Sequence, residues 1–185
     1  SKLAYVFQSP RLAPWRTALG NVMLGMELRF TDKPKAEMRS TAERLLALVG
    51  LQDDMEKYPA MLSGGERQRV SIARALSVEP EIILMDEPFS ALDLNTRRRM
   101  RDEIIRIWQE TGKTVIFVTH DVDEALTLAN RVLLLSNKPT TVLETIELEA
   151  PRPRDIENSP ELSEQKAHLI SLFQTLETNA TEQDN

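Results

Sequence analysis

Short apolar runs along the chain alternate with longer segments in which apolar residues recur at helical spacing. Leu3 to Phe7 is an apolar, β-favouring run, and Ile82 to Met85 and Thr114 to Val118 are further runs of this kind. The last two are typical of strands in a parallel sheet that is covered on both faces. The pattern therefore favours helices that alternate with buried strands of a parallel sheet.

Helical spacing and end signals define the segments between these runs. Pro34 suits the first position of one helix, and Gly50 ends it after a stripe of core-facing apolar residues. Gly112 is predicted to end a later helix, and Asp121 to cap the start of the next. The predicted helices cover about residues 21–28, 34–49, 64–76, 93–110, 122–129 and 160–176, with two further strands at about 132–136 and 141–148.

A serine and two glycines stand at the predicted start of the helix that precedes the Ile82 strand. Ser63, Gly64 and Gly65 carry backbone N–H groups that have no partner within a helix, at the positive end of its dipole. Such a terminus binds anions, and phosphate is a frequent ligand. The same three residues are also compatible with a plain helix cap, so the turn alone does not decide between the two interpretations.

Polar residues follow the two buried runs where parallel strands present their carboxyl ends. Asp86 and Glu87 follow Met85, and His120 follows the Thr114 strand. Ligands of open α/β sheets collect at this edge. One carboxylate could hold a hydrated Mg²⁺ ion, the other could activate a water, and the histidine could contact a terminal phosphate. An Asp-Glu pair can also simply begin a helix, but with the Ser-Gly-Gly turn it favours nucleoside triphosphate hydrolysis.

Composition and charge exclude several other classes. The 185 residues are 41% hydrophobic and include no cysteine, so disulfides and thiolate metal sites are excluded. No apolar run approaches the roughly 20 residues that span a bilayer. The net charge is −6, and the segment from Asp155 onward holds seven acidic residues against Lys166 alone. A neutral body with an acidic tail argues against a nucleic-acid partner, which requires a basic face.

Five motifs occur in the order found in the ATP-binding subunits of ABC transporters, and over roughly residues 1 to 150 the chain resembles that family. LSGGERQR at 62–69 matches the signature, IILMDEP at 82–88 the Walker B segment, and SALD at 90–93 the loop after it. His120, which ends VIFVTH, matches the switch histidine, and Gln8 in VFQSP matches the glutamine loop. The resemblance implies an α/β P-loop NTPase fold of the ABC type, with a mostly parallel sheet flanked by helices. It also implies a helical signature subdomain and an absent first part of the fold.

The resemblance also implies a role for each matched residue. Asp86 and Gln8 would hold Mg²⁺, Glu87 would be the general base, and Gln8 and His120 would assist the hydrolysis of ATP. Two such domains, in a homodimer, would face head to tail with each ATP between them. Ser63, Gly64 and Gly65 would serve the partner's nucleotide, and Asp93 would join the two sites. Gln68 would be a further nucleotide-binding residue.

Phosphate binding in this fold normally depends on a glycine-rich loop, G-x-x-x-x-G-K-[ST], which this sequence does not contain. Gly112, Lys113 and Thr114 match its last three letters, but Ile107 stands where the first glycine belongs. We expect an amino-terminal truncation, because the family carries this loop upstream of the glutamine strand. A catalytically inactive domain that retains only subunit contacts is the alternative.

The resemblance divides the chain into functional regions and suggests partners. Residues 1–14 would end a core strand and carry the glutamine loop, 15–65 would form the helical subdomain with the signature, and 66–150 would complete the nucleotide-binding core. Residues 151–185 would form an acidic linker and helix. The loop after Gln8 would contact a membrane permease from the cytoplasmic face of the plasma membrane. Trp15 is a candidate contact there, or a half-buried packing aromatic.

The segments APWRTALGNV and PRPRD resemble those of importers of nitrate, taurine and alkyl sulfonates. A solute-binding protein outside the membrane would then be an indirect partner. An ABC-type ATPase of chromosome maintenance or DNA repair is a rival interpretation. Such proteins carry a long coiled coil between the glutamine loop and the signature, whereas here that interval is short and shows no sustained heptads.

Overall fold

A computed structural model describes residues 2–90 and 92–183, with side chains described up to residue 176. The chain divides into two units, Ser1–Val118 and Thr119–Asn185. Ala91, in the middle of the SALD motif, lies outside the described residues.

Over its described residues, 2–90 and 92–118, the first unit contains three parallel strands and four helices. The strands are β1 (Leu3–Val6), β2 (Ile82–Asp86) and β3 (Thr114–Val118), in the spatial order β1-β2-β3. The helices are α1 (Ala18–Arg29), α2 (Lys35–Leu48), α3 (Gly64–Ser77) and α4 (Leu94–Thr111), with a short 3₁₀ turn at Pro59–Met61. This arrangement confirms the predicted fold class.

The helix ends follow the local signals in the sequence. Gly50 and Gly112 both have positive φ, at 67° and 62°, and each follows a helix, as the glycine-stop prediction required. Pro34 is the N-cap of α2 rather than its first helical residue, so that boundary prediction was wrong by one position. Pro34 has extended φ and ψ, and the first helical conformation belongs to Lys35.

The sheet of the first unit is buried on one face only, which corrects the prediction of strands covered on both faces. Val6, Ile83 and Met85 share the buried face, and each is at most 1% exposed. On the opposite face Tyr5, Ile116 and Val118 are between 38% and 50% exposed. Side chains alternate across a strand, and among the described residues of this unit packing covers one side. A continuous apolar run in the sequence does not show whether one face of the strand is covered or both.

The second unit is built from α5 (Val122–Leu128), the antiparallel strands β4 (Arg131–Leu135) and β5 (Val142–Glu147), and α6 (Pro160–Gln183). Its core is formed by Leu126, Leu148, Leu162 and Leu169. Asp121 caps α5 by accepting a hydrogen bond from the Glu124 N–H, as predicted.

Residues 151–155, which were predicted to begin a linker, are anchored to the second unit. The Arg154 guanidinium donates to the backbone carbonyl groups of Leu126, Ala129, Leu148 and Ala150. Burial and the nearby Arg152 charge lower the pKa of Arg154. One side chain thus holds the end of α5, the end of β5 and its own segment together. Among the described residues, no helix has the length and apolarity to cross a membrane.

Candidate functional site

The carboxyl ends of β1 and β2 bring three of the predicted site residues together. Gln8 lies two residues beyond β1, Asp86 is the last residue of β2, and Glu87 follows it. Parallel pairing aligns the strands, with Asp86 opposite Val118 of β3. The Glu87 N–H donates to the Val118 carbonyl at 2.9 Å, which fixes Glu87 at this edge. The edge is where open α/β sheets bind ligands.

Glu87 has an unusual backbone conformation for a residue with a side chain. Its φ is +39°, in the left-handed region that glycine usually occupies. Such conformations cost of order 1–3 kcal/mol and cluster at functional sites. Here the conformation turns the chain sharply after β2, so that the Glu87 carboxylate comes within 3.3 Å of Gln8 Nε2.

Tyr5 contacts the acidic pair, although it belongs to none of the matched motifs. Its hydroxyl donates to Asp86 Oδ2 at 2.9 Å, and this hydrogen bond, with partial desolvation and the Asp86 charge, raises the pKa of Tyr5. Tyr5 and Asp86 lie on the same open face of the sheet because Tyr5 is paired with Leu84, two positions before Asp86. One Asp86 oxygen is therefore held by protein, and the other remains for a ligand.

The Gln8 side chain is held by two acceptors on the loop after β2. Its Nε2 donates to Ser90 Oγ at 2.9 Å and to Glu87 Oε2 at 3.3 Å. The structure thus joins the glutamine loop directly to the acidic pair.

The signature turn, residues 63–65 at the start of α3, is capped by side chains of the same segment. Ser63 Oγ accepts from the Glu66 N–H, and the Glu66 carboxylate accepts from the Ser63 N–H at 2.6 Å, which completes a capping box. The Ser63 N–H bond lowers the pKa of Glu66. Among the described residues, no hydrogen bond uses the N–H groups of Gly64 or Gly65. These two donors at a helix terminus are suited to a phosphate.

Gly65 is buried, whereas Ser63 is exposed and Gly64 half-buried. A Cβ at Gly65 would lie 2.8 Å from Thr96 Cγ2 of α4, while a Cβ at Gly64 would approach no neighbour closer than 3.6 Å. The second glycine is therefore required by the close packing of α4 on the signature turn, and the first is not.

Gln68 and Arg74 connect α3 to the glutamine loop. Gln68 is only 2% exposed and donates to the Phe7 carbonyl at 3.3 Å, so its side chain holds the backbone of the residue that precedes Gln8. The role of Gln68 in nucleotide binding stays a prediction. Arg74, which sequence reasoning missed, donates to the carbonyl groups of Pro10 and Arg11, both at 2.9 Å. Burial lowers the pKa of Arg74.

Asp93 is the N-cap of α4, where its Oδ1 accepts from the N–H groups of Asn95 and Thr96. Hydrogen bonds from the Thr96 hydroxyl and N–H lower the pKa of Asp93. Its predicted role in joining two domains stays a prediction. His120 belongs to the second unit, so the prediction that it faces the acidic pair is untested as well.

The residues at the sheet edge fit ATP and Mg²⁺ by their chemistry. Among the residues that the structure describes, no group of three or more His, Cys, Asp or Glu side chains is arranged to hold a metal. Mg²⁺ is usually bound through one or two carboxylates together with water and substrate phosphates. Asp86, with one oxygen held by Tyr5, and the Gln8 amide oxygen supply ligands of that kind.

Comparison with known proteins gives a consistent result. The family model described as ABC transporter matches residues 1–90. The chain is 41% identical to the taurine import ATP-binding protein TauB of Rhizobium johnstonii, over 93% of this chain and 68% of that protein. It is 44% identical to the nitrate import ATP-binding protein NrtD of Synechococcus elongatus, over 82% of this chain and 56% of that protein.

A solved structure is similar as well. It is the dimeric post-hydrolysis state of the ATP-binding cassette MJ0796 bound to ADP and Pi, with a TM-score of 0.67 and 35% identity. The match covers 82% of this chain and 65% of that one. Across curated relatives the chain spans between 26% and 68% of their length.

Proposed function

This chain belongs to the ATP-binding proteins of the ABC transporter family, and we propose that it forms part of the ATP-hydrolysing subunit of an importer. The single observation that carries the proposal is the arrangement at the sheet edge, where Gln8, Asp86 and Glu87 converge through the Gln8–Glu87 hydrogen bond and the end of β2. The motif order supports the same conclusion from the sequence.

Each residue at the edge has a distinct task in this proposal. Asp86 and the Gln8 oxygen would hold Mg²⁺, which neutralises charge on the transferred phosphoryl group when it is bound. Glu87 would accept a proton from the attacking water, because its carboxylate lies at the same edge, 3.3 Å from Gln8 Nε2. Tyr5 would keep the Asp86 carboxylate in one orientation through its hydrogen bond to Oδ2.

The signature turn would act on the nucleotide of a second copy. Gly64 and Gly65 have available N–H donors at the start of α3, and Ser63 is exposed beside them. In a head-to-tail homodimer these groups would serve the partner's γ-phosphate, Gln68 would be a further nucleotide-binding residue, and Asp93 would join the two sites. His120 would contact the γ-phosphate of its own domain.

The transport function follows from the relatives rather than from the site. We propose that the subunit binds a membrane permease at the cytoplasmic face of the plasma membrane and powers uptake of a small solute such as nitrate, taurine or another sulfonate. A solute-binding protein would deliver that solute. Trp15 is 75% exposed in the loop after Gln8, which is consistent with a contact to the permease.

A domain that keeps only subunit contacts is a second candidate, because the sequence contains no G-x-x-x-x-G-K-[ST] loop. Proteoliposomes with the permease and the ATP-binding protein that carries this sequence would distinguish the two. Our proposal expects that ATP on the cytoplasmic side drives uptake and that phosphate release rises with the transported solute. Assembly of the complex without phosphate release would support the inactive domain.

A further inference from the structure

Ser90 occupies the end of a tight turn after β2, and neither the motifs nor the comparisons assign it a task toward Gln8. Its hydroxyl accepts from Gln8 Nε2 at 2.9 Å and donates to the Glu87 backbone carbonyl at 3.0 Å. Its N–H donates to the same carbonyl at 3.2 Å. Residues 87–90 therefore form a closed turn whose last side chain faces the glutamine loop.

From these contacts we infer that Ser90 is a positioning residue that fixes which way the Gln8 amide faces. A serine hydroxyl has a single proton, and here that proton is donated to the Glu87 carbonyl. Toward Gln8 the hydroxyl can only accept, so only the NH₂ group of the amide can satisfy it. The amide oxygen of Gln8 must then lie on the side away from Ser90.

The orientation matters because the two ends of an amide have opposite chemistry. The oxygen can bind a cation or accept a proton from water, whereas the NH₂ group can only donate. A reversed Gln8 amide would present its donors to a cation and would lose the ligand. This inference rests on the role proposed above for Gln8, but its test requires neither ATP nor Mg²⁺.

Glu87 cannot fix the amide by itself. Its hydrogen bond from Gln8 is 3.3 Å long, which is weaker than the 2.9 Å bond to Ser90. The Ser90 hydroxyl gives its own proton to the Glu87 carbonyl and forms the shorter bond to Gln8, so it is the acceptor that fixes the amide.

The test observes the Gln8 side-chain amide protons in ¹⁵N–¹H spectra of the 185-residue chain, identified as the signal pair that Gln8→Leu removes. Solvent exchange of this pair is compared between the unsubstituted chain and its Ser90 variants under identical conditions at neutral pH. The Gln68 side-chain amide, buried and bound to the Phe7 carbonyl, is the internal control.

We expect the Gln8 amide protons to exchange about tenfold faster in Ser90→Ala than in the unsubstituted chain. Ser90→Thr, which keeps the hydroxyl, should restore the slow exchange. Ser90→Cys keeps the volume but accepts hydrogen bonds poorly, so it should match Ser90→Ala without leaving a void. Unchanged Gln8 exchange in Ser90→Ala, equal acceleration at Gln68, or no restoration by threonine would each overturn the inference.

Discussion

Gly65→Ala provides a direct test of how the signature turn packs. The added Cβ would lie 2.8 Å from Thr96 Cγ2, a separation that side-chain carbons do not tolerate. Thr96 cannot rotate its methyl group away without cost, because its hydroxyl donates to Asp93. The clash must therefore be relieved by moving the start of α4 or by breaking the cap at Asp93.

The expected magnitude follows from two opposing terms. Overpacking of this kind costs about 1–3 kcal/mol, and replacing glycine by alanine in a helix returns about 0.5–1 kcal/mol. We therefore expect Gly65→Ala to lower the free energy of unfolding by roughly 1–2 kcal/mol. At Gly64 the nearest atom would be an ordinary 3.6 Å away, so Gly64→Ala should be neutral or slightly stabilising.

Urea unfolding followed by tryptophan fluorescence measures this difference. Both tryptophans, Trp15 and Trp108, lie in the first unit, so the signal reports the unit that contains the clash. Thr96→Ser in the Gly65→Ala background removes the methyl group and keeps the hydroxyl, and it should recover most of the lost stability. If Gly65→Ala is as stable as Gly64→Ala, or if Thr96→Ser gives no recovery, the close packing of α3 and α4 is not as described.

Three further predictions concern caps and anchors, and each is measured by urea unfolding followed by circular dichroism. Glu66→Ala should lower the free energy of unfolding by about 1 kcal/mol at neutral pH. The Ser63 N–H lowers the pKa of Glu66 from 4.5, so this contribution is present above pH 4.5. It is lost as the pH falls through the pKa of the folded state. A difference that persists unchanged well below pH 4.5 would contradict it. Gly112→Ala should lower the free energy of unfolding by about 1 kcal/mol, because φ is +62° at this position, and Gly112→Asn should lower it less. Equal stability of the unsubstituted chain and both variants would contradict the left-handed cap. Arg154→Met keeps the aliphatic bulk but removes the donor to four carbonyl groups. It should lower the free energy of unfolding by at least about 2 kcal/mol, and a loss below about 0.5 kcal/mol would contradict the anchor role.

Local signals were sufficient to predict the elements of the fold. Apolar runs marked β2 and β3. Gly50 and Gly112 ended their helices as predicted, because glycine has no Cβ and adopts a positive φ without steric cost. The open face of the sheet was not predictable in this way. Ile116 is apolar whether or not another layer covers it, and its 50% exposure depends on what packs against the strand.

The contacts of the site required the register of strands that are distant in sequence. Tyr5 and Asp86 are separated by 81 positions, and only the pairing of β1 with β2 brings them together. Ser90 and Arg74 were overlooked for the same reason, since each acts on the glutamine loop from more than 60 positions away. Motif matching found Gln8, Asp86 and Glu87, but not the contacts through which other residues position them.

The central claim is that Asp86 and Glu87 divide the work of one hydrolytic site. The most direct measurement compares Mg²⁺–ATP binding with phosphate release in the ATP-binding protein that carries this sequence. The account predicts that Glu87→Gln binds Mg²⁺–ATP normally while phosphate release falls at least about 10²-fold, whereas Asp86→Asn loses the Mg²⁺-dependent part of binding. Unchanged phosphate release by Glu87→Gln would contradict it.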